Sequence, residues 1–107
     1  MKAGSWLPRV VTKVCELASV GRVRFTLKAL HELTLLDAGL DERDVCDVLA
    51  RLSTRQFAAR LTSKTTGEWM YVFKPMVAGE RVYVKLIVRT DCIVISFHED
   101  DHDDQDP

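Results

Sequence analysis

Residues 81–88, Arg81-Val82-Tyr83-Val84-Lys85-Leu86-Ile87-Val88, decide how this 107-residue chain folds. Side chains alternate faces along a strand, so Val82, Val84, Leu86 and Val88 share one face while Arg81, Tyr83 and Lys85 share the other. Flanking runs have the same character, Trp69-Met70-Tyr71-Val72-Phe73-Lys74 before and Cys92-Ile93-Val94-Ile95-Ser96-Phe97-His98 after. Ala78-Gly79 and Thr90-Asp91 supply the turns. The pattern predicts three antiparallel strands with one apolar face and one that carries Lys74, Arg81, Tyr83, Lys85, Ser96 and His98.

Before Thr62 the period is helical. Val10, Val11, Val14, Leu17 and Ala18 fall on one helix face after Pro8, and Gly21 is suited to end that helix. Val23 to Phe25 reads as a short extended link. Thr26 is an N-cap for a helix to about Leu36, with Leu27, Leu30 and Leu33 on its buried side and His31 near it as a structural or surface histidine. Asp41-Glu42-Arg43-Asp44 starts a third helix with Val45, Val48, Leu49 and Leu52 as its stripe. Ser53-Thr54-Arg55-Gln56 matches a capping box and predicts a further short helix carrying Phe57 and Leu61. Helices followed by strands predict an α+β class, with N-terminal helices packed on a small C-terminal antiparallel sheet.

The length fits one domain, expected over residues 1–98. Six of the 16 acidic residues and none of the 15 basic ones fall in residues 99–107, so residues 1–98 hold 15 basic and 10 acidic residues, a formal +5. That body suits a polyanion, because Lys and Arg neutralise phosphates and release counterions. The alternative is a set of solvated surface charges. The acidic tail has no apolar residue to bury and is expected to be disordered. Apolar runs fall well short of the roughly 18 residues that span a bilayer, and no stretch near Met1 has signal-peptide character. Cys15, Cys46 and Cys92 are odd in number and set in apolar patterns, which predicts reduced, packed thiols and a cytoplasmic location.

Cations to hold phosphate, a phenol and an imidazole that exchanges protons near neutral pH are the equipment of a metal-independent ribonuclease. Such an enzyme activates the ribose 2′-hydroxyl, protonates the leaving 5′-oxygen and stabilises a phosphorane. In the competing reading Tyr83 and Lys85 merely coat a solvated face. His98-Glu99-Asp100-Asp101-His102 matches HExxH literally, but the zinc-protease reading of that motif needs a docked helix, and here it follows a strand. Trp69 is either core or a base-stacking platform, and Arg22 and Arg24 either a solvated edge or phosphate contacts.

Gly21-Arg22-Val23-Arg24 with Ala29-Leu30, then Val45-Cys46-Asp47-Val48, Leu52-Ser53, Phe57, Trp69, Val72-Phe73-Lys74-Pro75, Gly79, Val82-Tyr83-Val84-Lys85 and Ile93-Val94-Ile95-Ser96-Phe97 resemble the MqsR family of toxins over about residues 9–98. The resemblance implies a RelE-like fold and an mRNA-cleaving toxin that favours short GC-containing sequences and uses no metal or other cofactor. It also implies neutralisation by an MqsA-type antitoxin with a zinc-binding domain and a helix-turn-helix domain, through which DNA is contacted only indirectly, and no membrane partner. The family tyrosine falls on Tyr83 and its strand-end lysine on His98. The glutamine after the tryptophan becomes Met70, and the lysine after the short helix falls near Ala59, beside Arg60.

The expected catalytic set is therefore His98 as acid or base, Tyr83 on the phosphate, and Arg60, Lys85 and Arg81 as stabilising cations. Lys74, Trp69, Met70, Ser96 and Arg24 are expected to contact RNA. Two alternatives remain open from the residues: a non-catalytic module that docks an antitoxin or nucleic acid, and a ribosome-dependent cleaver of the RelE kind.

Overall fold

The computed structural model describes residues 4–36 and 39–100. Helix α1, Trp6–Ser19, buries Leu7, Val11, Val14, Leu17 and Ala18. It ends as its sequence requires: Gly21 takes φ +76°, and the Arg22 N–H turns back to the Leu17 carbonyl at 2.8 Å. Strand β1, Val23–Phe25, leads into α2, Leu27–Thr34, capped by Thr26 Oγ1, which accepts the Ala29 N–H at 3.1 Å. Helix α3, Glu42–Ala50, begins with a reciprocal Asp41/Asp44 capping box and buries Val45 and Leu49.

Two expectations fail here for local reasons. Ala29 and Leu33, one turn apart, are the buried residues of α2, so Leu27, two residues and about 200° from Ala29, is left 85% exposed. The Ser53/Gln56 capping box is present, but it closes only a 3-10 turn, Thr54–Gln56. The predicted helix after it is instead strand β2, Phe57–Thr62, in which Phe57 lies opposite Phe73 with ring centroids 5.8 Å apart. A cap satisfies the orphan donors of one turn and leaves the conformation of the next residues to be set by packing.

The remaining strands are β3 (Trp69–Phe73), β4 (Met76–Val77), β5 (Glu80–Val88) and β6 (Cys92–Glu99). Their order is β1-β6-β5-β3-β2, with β4 paired to the start of β5. The β4–β5 hairpin turns through Ala78 and Gly79, both at positive φ (53° and 84°), as a two-residue turn of right-handed twist demands. All pairs are antiparallel except β1–β6, so the sheet is mixed rather than purely antiparallel. The long excursion from β1 through α2, α3 and β2–β5 permits that parallel return.

Helices α1 and α3 contribute to a core with Phe73, Val84, Leu86, Val94 and Phe97, all fully buried. Cys92 belongs to this core, where burial pushes its thiol up to about 12; Cys15, Cys46 and Cys92 are all free. Val72 and Ile87 are buried outside that cluster, on the opposite face of the sheet. Among the described residues no helix is long and apolar enough to cross a membrane.

Candidate active site

Strict alternation along β6 would put His98 on the same face as Cys92 and Val94, in the core. A β-bulge prevents this. Val94 pairs with Leu86 and Ser96 with Lys85, so Ile95 is the extra residue and the facing order reverses beyond it. Phe97 then enters the core opposite Val84, and Ser96 and His98 turn to the face of Lys85 and Tyr83.

Consecutive rungs of one ladder therefore share one face. Tyr83 lies across from His98, and their rings stack with centroids 4.8 Å apart and planes 12° from parallel. Lys85 lies across from Ser96 on one side of them. On the other side the Asp100 N–H donates to the Arg81 carbonyl at 2.9 Å, so the described sheet face ends at Arg81 and Asp100. Lys74 Nζ stands 3.4 Å from Asp100 Oδ1, a carboxylate whose side chain is only 4% exposed.

Helix α2 closes the outer edge of β6 beyond the short β1. The Thr26 N–H donates to the Val94 carbonyl at 3.1 Å. Glu32 Oε1 accepts the Phe97 N–H at 2.9 Å, and Glu32 Oε2 pairs with Lys28 Nζ at 3.1 Å. Lys28 Nζ also donates to Ser96 Oγ at 2.7 Å, and Ser96 is 1% exposed.

The electrostatics arise from these neighbours. Burial, with the Asp100 and Glu32 charges added, raises the pKa of the Tyr83 phenol, which therefore stays protonated and able to donate. Burial pushes the Glu32 carboxyl up, but the Phe97 N–H, Lys28 and the nearby His98 outweigh it and hold it below the usual carboxylate range. His98 Nδ1 lies 2.8 Å from the Glu99 carbonyl oxygen. A carbonyl only accepts, so this contact places a proton on Nδ1 and leaves Nε2 outside it.

The expected residues divide between the two faces. His98, Tyr83, Lys85, Arg81, Ser96 and Lys74 come together, and Met70 and Val72 form an apolar floor beside them with Ala59 and Leu61 of β2. Arg60 and Trp69 do not join them. Arg60 lies opposite Tyr71 on the helix face, with its guanidinium carbon 4.1 Å from the Trp6 ring centroid and 3.8 Å from that of Trp69. The side chain that β2 turns toward the site is Ala59, because residue parity and the irregularity between Phe57 and Ala59 fix which neighbour faces which way. Arg24 shares the sheet face of Tyr83 but sits opposite Ile93, roughly 15 Å along the strand from His98, and lies 3.8 Å from Asp91.

Lys28, Glu32 and Asp100 join the site without any signal in the strand pattern. The i,i+4 spacing of Lys28 and Glu32 is visible in the sequence, but that it lies over the β6 edge depends on packing. For the HExxH reading, His98 and Glu99 lie in a strand and His102 is outside the described residues. Among the described residues no group of three or more His, Cys, Asp or Glu is placed to hold a metal ion.

Residues 10–99 match the family described as "Motility quorum-sensing regulator, toxin of MqsA". The chain is also 32% identical over 90 residues to the mRNA interferase toxin MqsR of Escherichia coli (strain K12), an alignment covering 83% of this chain and 90% of that protein. The match spans every rung of the ladder from Tyr83 to Ser96 and His98, and on that extent the chain belongs to the MqsR toxin family.

Proposed function

We propose that this protein is the toxin of a type II toxin–antitoxin pair and cleaves mRNA as a metal-independent, sequence-preferring endoribonuclease. One observation carries the reading: a phenol and an imidazole stacked at 4.8 Å on a sheet face edged by Lys85, Arg81, Lys74 and Lys28. The relative in Escherichia coli is named an mRNA interferase, which supports the same chemistry.

In this mechanism the ribose 2′-oxygen attacks the adjacent phosphorus while the bond to the 5′-oxygen breaks. The products are a 2′,3′-cyclic phosphate and a 5′-hydroxyl end. His98 Nε2 exchanges the proton, either taking it from the 2′-hydroxyl or delivering one to the 5′-oxygen. Tyr83 donates its phenolic proton to a phosphoryl oxygen, and Lys85 and Arg81 stabilise the charge that builds on the phosphorane. Lys74, Met70 and Ser96 shape the face along which the strand lies. An MqsA-type antitoxin, with a zinc-binding domain and a helix-turn-helix domain, would neutralise the toxin in the cytoplasm and provide the link to DNA.

The test is incubation of the purified protein with a defined RNA in EDTA, wild type beside His98→Ala. Cleavage leaving cyclic phosphate and 5′-hydroxyl ends, reduced by about 10²–10⁴-fold in the variant, is the expected result. Equal cleavage by both proteins would refute the role of His98. Cleavage by neither, but with translating ribosomes present, would make the enzyme ribosome-dependent; none under either condition would favour a binding module.

A further inference from the structure

Helix α2 brings to the site a cation that the strand pattern does not contain. Lys28 Nζ donates to Ser96 Oγ at 2.7 Å and to Glu32 Oε2 at 3.1 Å. An ammonium has three protons, and these two acceptors leave one for a ligand. The Lys28 side chain is 59% exposed although its anchor, Ser96, is 1% exposed. A solvated i,i+4 pair holds its lysine loosely, whereas this one is fixed at its tip by a hydroxyl embedded in the sheet.

Position then decides what the ammonium can reach. Ser96 is the cross-strand partner of Lys85, and His98 lies two residues farther along the same face of β6. Two strand residues span roughly 7 Å, so the ammonium lies within about one nucleotide of the imidazole. The opposite half of the face, built by Ala59, Leu61, Met70 and Val72, carries no charge. A polyanion crossing the Tyr83–His98 rung therefore meets Arg81 and Lys74 on one side of it and Lys85 and Lys28 on the other, where the ammonium of Lys28 extends the cationic edge beyond β6.

Resting on the ribonuclease reading, we infer that Lys28 is a substrate-binding residue that contacts an RNA phosphate next to the scissile one, with Ser96 and Glu32 as its positioning residues. Glu32 is already engaged by the Phe97 N–H, so it orients the ammonium without closing off its outward side.

The test measures binding of a 2′-O-methyl oligoribonucleotide containing GC steps, which resists cleavage, over a series of salt concentrations. Wild type, Lys28→Gln and Lys28→Arg are compared at equal unfolding midpoint. Loss of one single-strand phosphate contact lowers the slope of log K against log salt by about 0.7. Lys28→Gln should show that drop with roughly tenfold weaker binding at low salt, and Lys28→Arg should restore the slope. With the cleavable RNA, Lys28→Gln should raise KM more than it lowers kcat. A wild-type slope in Lys28→Gln, whatever its affinity, would overturn the contact and leave Lys28 a structural link between α2 and β6. Wild-type protein that binds the oligonucleotide but cleaves no RNA, with or without translating ribosomes, would instead sink the ribonuclease reading while the slope still judges Lys28. Wild-type protein that binds no RNA would overturn both.

Discussion

Tyr83 and His98 are held as a pair but suited to different tasks. The phenol is kept protonated by burial and two nearby carboxylates, which suits it to donate a hydrogen bond rather than to act as a base. The imidazole has one nitrogen committed to a backbone carbonyl, and on the proposed mechanism the other serves the substrate. Tyr83→Phe, which keeps the stacked ring and removes only the hydroxyl, should lower kcat by about 10–10²-fold with an unchanged circular dichroism spectrum. Full activity would remove the phenol from the mechanism. At this scale the sequence was readable where a rung follows simple alternation, as for Arg81, Tyr83 and Lys85. It was misleading at Arg60, whose charge suggested phosphate while its parity sends it between Trp6 and Trp69.

Among the elements, β6 and α2 do most to assemble the site. The bulge at Ile95 lets one strand serve the core with Val94 and Phe97 and the opposite face with Ser96 and His98. Nothing in Ile93-Val94-Ile95-Ser96 marks which residue is extra, because each of them tolerates an extended backbone; the pairing with Lys85 and Leu86 selects it. The faces of β5 were legible because its alternation is unbroken, and those of β6 were legible only in outcome. Likewise, β2 carries residues at i,i+4 spacing, Phe57 and Leu61, that fit a helix as well as an edge strand. Helix α2 secures β6 through Glu32, whose carboxylate accepts the Phe97 N–H that no strand reaches. A carboxylate held below its ordinary pKa of 4.5 stabilises the fold above that pH and ceases to do so as pH falls through its folded value. Wild type should therefore be more stable than Glu32→Gln at pH 7, by about 1–2 kcal/mol, and the gap should narrow as the pH falls below 4.5. Urea unfolding at several pH values checks this, and a gap that widens on acidification would contradict it.

On the scale of the whole molecule, the sheet divides the chain's chemistry. One side receives α1 and α3 and is sealed by aliphatic and aromatic residues; the other carries the stacked pair and its cations. The formal +5 of residues 1–98 is offset by the formal −6 of residues 99–107, a net −1 for the chain, so whatever attracts a polyanion is local to the cations on that open side and is weakened by salt. Fold class and overall charge were legible from the chain because they depend on period and composition. The parallel β1–β6 edge and the seating of α2 were not, since both depend on where distant segments meet. Cys92, set between Val23 and Val88 in the sheet, gives this architecture a built-in clock. Its thiol is sealed from solvent and resists ionisation, so an alkylating reagent can reach it only in molecules whose sheet has opened. Labelling with subsequent peptide mapping should find Cys92 modified at least about a thousandfold more slowly than half-buried Cys15 and Cys46. Equal rates would mean that β6 is not sealed at Cys92. Because the strand that carries this sulfur also positions His98, the labelling rate counts how often the face bearing the stacked pair itself comes apart.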